Sequence, residues 1–262
     1  PTILAITPPR FASPNSTMSI RRLDPILIDR IAAGEVVERP ASAVKEIVEN
    51  AIDAGATRIE IVIEEGGRRL IRVTDNGSGM SAEDVALAVE RHATSKLPDG
   101  DLLAIHTLGF RGEALPSIGA VARLSITTRR DDASHGSSIL VDAGIKHAVK
   151  PAAFERGTRV EVADLFYATP ARLKFLKTDR AEGQAVADMI KRIAMAHPHI
   201  RFTLSHDSGT LIDYPDEGSN DAAALARRHL LVERMGLGQR LVGLEPQEGV
   251  GPRLPVRDAR EA

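Results

Sequence analysis

The chain has 262 residues and a net charge of −2, which suits one large domain or one and a half small ones and sets up no global field for nucleic acid. Cysteine is absent, which excludes disulfides, thiolate chemistry and cysteine-based zinc sites and suits a reducing cytoplasm. Aromatic residues make up 3% with no tryptophan, which argues against base stacking as a main binding mode, and no apolar run reaches membrane-spanning length.

In chain order, residues 1–17 are rich in Pro, Ser and Thr and show no periodicity, so they read as a disordered leader rather than a signal peptide. Asp24 and Pro25 then open a helix that Gly34 is expected to close. The stretch PASAVKEIVENAIDAG (residues 40–55) is the strongest helix signal. Pro40 suits a first helical position, where its missing N–H costs nothing, and Gly55 suits a left-handed stop. Val44, Ile47, Val48, Ala51 and Ile52 share one face at helical spacing. Glu46, Asn50 and Asp53 share the opposite one. That polar face is either simply solvated or a base-and-metal face on a pocket. In the second reading Glu46 activates water and Asn50 gives its carbonyl oxygen to Mg²⁺, a cation that keeps several waters and needs few protein ligands.

Ile59, Ile61 and Ile63 alternate with polar residues, Gly66 and Gly67 turn the chain, and Leu70, Ile71 and Val73 follow. Residues 58–74 therefore read as a β-hairpin with Asp75 at its end. The following loop, DNGSGM (residues 75–80), is either ordinary turn chemistry or the floor of a nucleotide site. In that second reading Asp75 accepts a hydrogen bond from an adenine amino group, and Gly77 and Gly79 let a flat ring approach the backbone. It is neither a dinucleotide fingerprint nor a P-loop, since the third glycine and any GKS or GKT are missing.

The polar stretch ERHATSKLPDGD (residues 90–101) is a surface loop or a lid in which Thr94, Ser95 and Lys96 touch phosphate. In TLGFRGEALPSIG (residues 107–119), Gly109 and Gly112 flank Arg111, and Glu113, Ala114 and Leu115 open a helix. Free N–H groups at a helix start attract phosphate. Residues 121–129, 137–142, 145–150 and 158–163 read as short strands, 181–196 as a helix, and IRFTLSH and TLIDYP as two more strands. Successive strands with few crossovers predict an α+β fold: a mostly antiparallel or mixed sheet with helices on one face. Arg172, Lys174, Lys177 and Arg180 form the best local basic cluster, either a solvated helix start or a contact for a phosphate backbone.

Taken together, GEVVERPASAVKEIVENAIDAGAT (residues 34–57), DNGSGM, RHATSK, GFRGEAL and LFYATPARLKFL (residues 165–176) resemble the MutL family of mismatch-repair ATPases. That family sits in a larger group with gyrase B, the ninety-kilodalton heat-shock chaperones and histidine kinases. The helix and the DxGxG loop are shared across the group, whereas GFRGEAL and LFYATPARLKFL are specific to MutL-like proteins.

The resemblance implies a Bergerat-type two-layer α/β sandwich over residues 18–217, followed at 218–262 by the beginning of a second α/β domain. It implies ATP and Mg²⁺ as cofactors. Glu46 matches the general base, Asn50 the Mg²⁺ ligand, and Asp53 the nucleotide-side set. Asp75 matches the adenine-reading acid and Gly79 the backbone beside the ring. Thr94, Ser95 and Lys96 match the ATP lid. Gly109, Phe110, Arg111, Gly112, Glu113, Ala114 and Leu115 match the phosphate-binding motif, and Thr158, after Gly157, the last nucleotide motif. Implied partners are DNA through a full-length dimer, a mismatch-recognition protein of the MutS family and a second copy in a homodimer, with no membrane and a cytoplasmic location.

Against the family pattern, residues from about Gly249 lose the expected strands and read as a truncated or frame-shifted end. The family's phosphate-contacting lysine has no match. The expectation is an ATP-binding, slowly ATP-hydrolysing mismatch-repair module. Its alternative is a nucleotide-binding fragment without efficient hydrolysis.

Overall fold

Alternation of apolar and polar residues builds one mixed sheet, whose strand order is β5-β4-β3-β7-β2-β1-β8-β9, with β6 paired to β4. The computed structural model describes Ile20 and residues 22–94, 112–207 and 209–241, with 235–241 described in backbone only. The strands are β1 (Arg58–Glu64), β2 (Leu70–Asp75), β3 (Arg123–Arg129), β4 (Gly136–Asp142), β5 (Ile145–Lys146), β6 (Lys150–Ala152), β7 (Gly157–Ala163), β8 (Arg201–His206) and β9 (Gly209–Tyr214). Every pairing is antiparallel except β1 with β8. The expected mostly antiparallel mixed sheet of an α+β fold is thus present.

One face of the sheet is apolar and buried. Ile59, Ile61 and Ile63 of β1 are fully buried, as are Ile71 of β2, Leu124 and Ile126 of β3 and Val162 of β7. Each such side chain contributes about 1.5–3 kcal/mol. The other face stays polar, and there Arg72 and Glu161 form an ion pair at 2.7 Å.

The helices α1 (Pro25–Val36), α2 (Pro40–Asp53), α4 (Ala114–Val121) and α5 (Asp179–Ala196) supply the second layer. Helix α2 buries Ala43, Val44, Ile47, Val48 and Ala51 and packs against β2, α4 and α5. It starts at Pro40, and Gly55 takes φ +72° just past its end. Helix α3 (Ala82–Ala88) was not foreseen; its start is fixed by a capping box between Ser81 and Asp84.

Two expectations need correction. Gly34 does not close α1, which runs on to Val36. The Arg172 guanidinium donates to the carbonyls of Gly34 and Val37 at 2.9 and 2.7 Å, so it satisfies the helix end from outside. A Cβ on Gly34 would lie 2.4 Å from that guanidinium, so a side chain there would displace the Arg172 head group from the helix end. Residues 145–150 are not one strand: β5 and β6 are separate pieces, each paired to a different end of β4.

Helix α6 (Ala222–Leu241) packs on α5. Its Arg228 is fully buried and donates to the carbonyls of Ala194, Pro198 and Ile200 at 3.0 Å and also to Pro215. A buried guanidinium is tolerable here because carbonyl dipoles replace its water. No helix among the described residues is long and apolar enough to cross a membrane.

Candidate functional site

The buried face of the sheet changes character at one end. Leu124, Val162 and Ile71 form one lateral row across β3, β7 and β2, and Ile126, Val160 and Val73 form the next. In the row beyond, the same face carries Thr128, Thr158 and Asp75, in register on the same three strands. Three buried polar residues thus stand where the pattern would put aliphatic ones. Buried polar groups need partners, and each of these has them.

Asp75 accepts from the Gly77 N–H at 2.8 Å and from the backbone N–H of Thr158. Burial nevertheless pushes its carboxyl up from 3.8 to about 6, since two amide donors only partly replace water. The Thr128 hydroxyl receives the Met80 N–H at 2.9 Å and contacts the Gly157 carbonyl and the Thr158 hydroxyl, each at 3.0 Å.

The loop after Asp75 is held on several sides. Ser78 N–H donates to the Ala54 carbonyl at the end of α2, at 2.9 Å. Asn76 accepts from the N–H groups of Thr57 and Arg58 at 2.9 and 2.8 Å and donates to the Thr57 hydroxyl. Gly79 has φ +69°, and a Cβ there would lie 2.1 Å from the Arg129 carbonyl. Gly157 has φ +110°, and its Cβ would lie 2.0 Å from the Asp75 carbonyl. Both glycines are required by the chain's own backbone packing. A groove of about 370 Å³ opens beside the loop, lined by residues that include Ser78, Gly79 and Arg156.

Helix α2 presents Glu46, Asn50 and Asp53, all half-buried. Lys45 lies 3.3 Å from Glu46 and 2.7 Å from Glu49. Burial works to lower the Lys45 pKa, but those two carboxylates outweigh it and raise it. Asp53 reaches toward His197 at the end of α5, whose pKa is lowered by burial and by His199 and is supported by Asp53.

The lid and the phosphate motif meet where they are described. A Cβ on Gly112, at φ +62°, would lie 2.3 Å from the Ala93 carbonyl, and His92 Nδ1 lies 3.6 Å from Glu113 Oε1. Thr94 is exposed beside this contact. Glu113 stands at the N-cap position of α4 without a side-chain capping bond, and Ala114 and Leu115 form the first turn, half-buried. Ser95, Lys96, Gly109, Phe110 and Arg111 lie outside the described residues. Within the basic cluster, Arg172 is committed to α1 and stacks over the Phe166 ring at 5.6 Å.

The described predicted residues therefore fall into three groups, of which the contact of Thr94's segment with Gly112 to Leu115 is one. Asp75, Gly79 and Thr158 meet at the polar end of the sheet. Glu46, Asn50 and Asp53 lie on α2, whose end is tied to the same loop. Sequence reasoning missed Thr128 and Asn76. No signal singled out Thr128, because threonine is an ordinary strand former. Among the described residues no group of three His, Asp or Glu side chains is placed to hold a metal ion. A cation there would rest on one amide oxygen plus phosphate and water, the donor set that Asn50 can join.

Residues 38–156 match the family model for histidine kinase-, DNA gyrase B- and HSP90-like ATPases. A protein from Azorhizobium caulinodans described as DNA mismatch repair protein MutL is 63% identical over 210 residues, covering 80% of this chain and 34% of that protein. Its counterpart in Afipia carboxidovorans is 67% identical over 188 residues, covering 72% of this chain and 31% of that protein. The chain thus spans about a third of the length of these curated relatives. Among solved structures, the MutL ATPase domain of Aquifex aeolicus complexed with ADP superposes with a TM-score of 0.62 at 33% identity, over 76% of this chain and 70% of that one.

Proposed function

The chain belongs to the MutL family, and from that membership we propose that it is the ATP-binding, slowly ATP-hydrolysing module of a DNA mismatch repair protein. The observation that carries this reading is the lateral row Asp75–Thr158–Thr128 at one end of the sheet, with the end of α2 tied to the same loop. Asp75 accepts from the amino group of adenine, and Thr158 lines the same end. The phosphate-binding set is Thr94 and the helix start at Glu113, Ala114 and Leu115, and by the family resemblance also Ser95, Lys96 and the segment Gly109 to Gly112. Asp53 supports the nucleotide side of α2.

Glu46 takes the proton of the attacking water, a role worth about 10²–10⁴-fold. Asn50 holds Mg²⁺ through its amide oxygen. The cation supplies charge neutralisation at the phosphates, and phosphoryl transfer to water otherwise needs mainly positioning.

The relatives' names place such proteins in mismatch repair, and the partners follow as part of this reading. They are DNA, a mismatch-recognition protein of the MutS family and a second copy of the chain, in the cytoplasm. A homodimer has support in α1, where Ile26, Leu27, Ile28 and Ile31 are exposed. Residues from 218 onward are read as the approach to a second domain.

The test is single-turnover ATP hydrolysis with Mg²⁺, beside a titration with ADP. Turnover that depends on Glu46 is expected. ADP binding without turnover would leave a nucleotide-binding piece only, and no ADP binding would remove the proposal.

A further inference from the structure

The Thr128 hydroxyl is fully buried and touches three polar groups, the full capacity of a hydroxyl. A hydroxyl oxygen has one proton and two lone pairs. The Met80 N–H can only donate, so it takes one lone pair at 2.9 Å. The Gly157 carbonyl can only accept, so it takes the proton at 3.0 Å. What remains for Thr158, also at 3.0 Å, is the second lone pair. One arrangement satisfies all three partners: Thr158 donates its own proton inward to Thr128. Its outward side then has lone pairs alone.

We propose that Thr128 is a positioning residue for base selectivity. It fixes the direction of the Thr158 hydroxyl, so that the base end of the pocket offers only acceptors and selects a 6-amino purine over a 6-oxo purine. This rests on the nucleotide reading above. The neighbouring row member agrees with it. Asp75 stands beside Thr158 in the same row and takes amide N–H groups from Gly77 and Thr158, which leaves its carboxylate, too, with lone pairs only. The exocyclic 6-amino group carries two hydrogens that such acceptors can take, whereas the carbonyl oxygen of a 6-oxo purine in the same place meets only lone pairs. Thr128 touches no base itself. It acts through Thr158, and through Met80 it also holds the end of the loop.

The experiment measures dissociation constants of ADP and IDP, which differ in the 6-amino and 6-oxo groups, on the purified chain. The unsubstituted protein should prefer ADP. Thr128→Val keeps the shape and removes the hydroxyl, which frees the Thr158 proton to face the pocket. The ADP preference should then fall roughly tenfold, the worth of one hydrogen bond of fixed direction. Thr128→Ser should restore it, because the hydroxyl returns without the methyl. On a Thr158→Val background, Thr128→Val should change the preference no further.

A folded Thr128→Val protein with unchanged preference would overturn the inference. So would a Ser variant as unselective as the Val one, since packing would then be the cause. If Thr128→Val does not fold, Thr128→Cys carries the test: its weakly bonding thiol should give an intermediate loss, and an undiminished preference would overturn the proposal. Failure of the unsubstituted protein to bind ADP would instead remove the nucleotide reading, and this inference with it.

Discussion

The two ends of the proposed pocket are made differently. The end read as the base site is built on three neighbouring strands, its side chains buried and its polar atoms paired within the protein. The end read as hydrolytic is built on a helix face and a helix start, with Glu46, Asn50 and Glu113 half-buried. Strand register sets the first to within a fraction of a residue spacing, since a slip of one residue would turn Asp75 to the other face. The second depends on how α2 and α4 sit on the sheet. In the proposed reading recognition and turnover rest on different parts of the fold, so each should be separable by substitution.

Glu46→Ala should give the largest effect. Single-turnover hydrolysis should fall about 10²–10⁴-fold while ADP titration stays close to the unsubstituted value. An equal loss of both would erase the distinction between the two ends.

Next is Asp75→Asn, which acts at the base end and has two readouts. ADP affinity should fall, because the carboxylate acceptor is gone, and guanosine nucleotides should stay weak throughout. The second readout is stability without nucleotide. The folded-state pKa, about 6, lies above the ordinary 3.8, so the folded protein holds this proton more tightly. Stability from this group is therefore full below pH 3.8 and declines as pH rises through about 6. The gap corresponds to about 3 kcal/mol. Denaturation at pH 4 and pH 7 should show the unsubstituted protein losing about that much relative to Asp75→Asn. A difference that does not change with pH would contradict a desolvated carboxyl.

Asn76→Ala should cost about 1–2 kcal/mol, since it strips acceptors from two backbone N–H groups in an exposed loop. Thermal unfolding checks this, with ADP affinity falling alongside because the loop carries Gly77 and Gly79. The smallest effect is expected from Lys45→Met. Its ion pairs with Glu46 and Glu49 are partly exposed, so turnover should change by no more than about fivefold. A larger drop would mean that the cation organises the base.

Much of this could be read before any coordinates. Period alone marked α2 and the β1–β2 hairpin, and Pro40 and Gly55 marked the helix limits, because these signals are local. Asp75 was visible as the last strand residue ahead of a glycine loop. Gly34 misled, because it looks like a stop but lies inside the helix, against the guanidinium of an arginine far along the chain, Arg172. Thr128 was silent for a similar reason. In LSITTR it is one more β-branched residue, and its meaning depends on β7 lying beside it. Asn76 looked like turn chemistry, and its partners in the α2–β1 connection appear only once the loop is closed. Local pattern thus reached the elements and the first acid, but not the residues whose partners come from elsewhere in the chain.

The sheet order also has a consequence for how the chain is made. β1 and β2 are adjacent in sequence, yet their outer neighbours are β8 and β7. As the polypeptide leaves the ribosome, the hairpin with Asp75 emerges early, while Thr128 and then Thr158 follow much later. Until β7 arrives, the outer edge of β2 has no partner, and the row Asp75–Thr158–Thr128 does not exist. Long-range pairing of this kind slows folding and leaves open strand edges for other chains to join. Nascent chains halted before residue 158 should therefore show no nucleotide-dependent protection from protease and should be the stage at which chaperones are most needed.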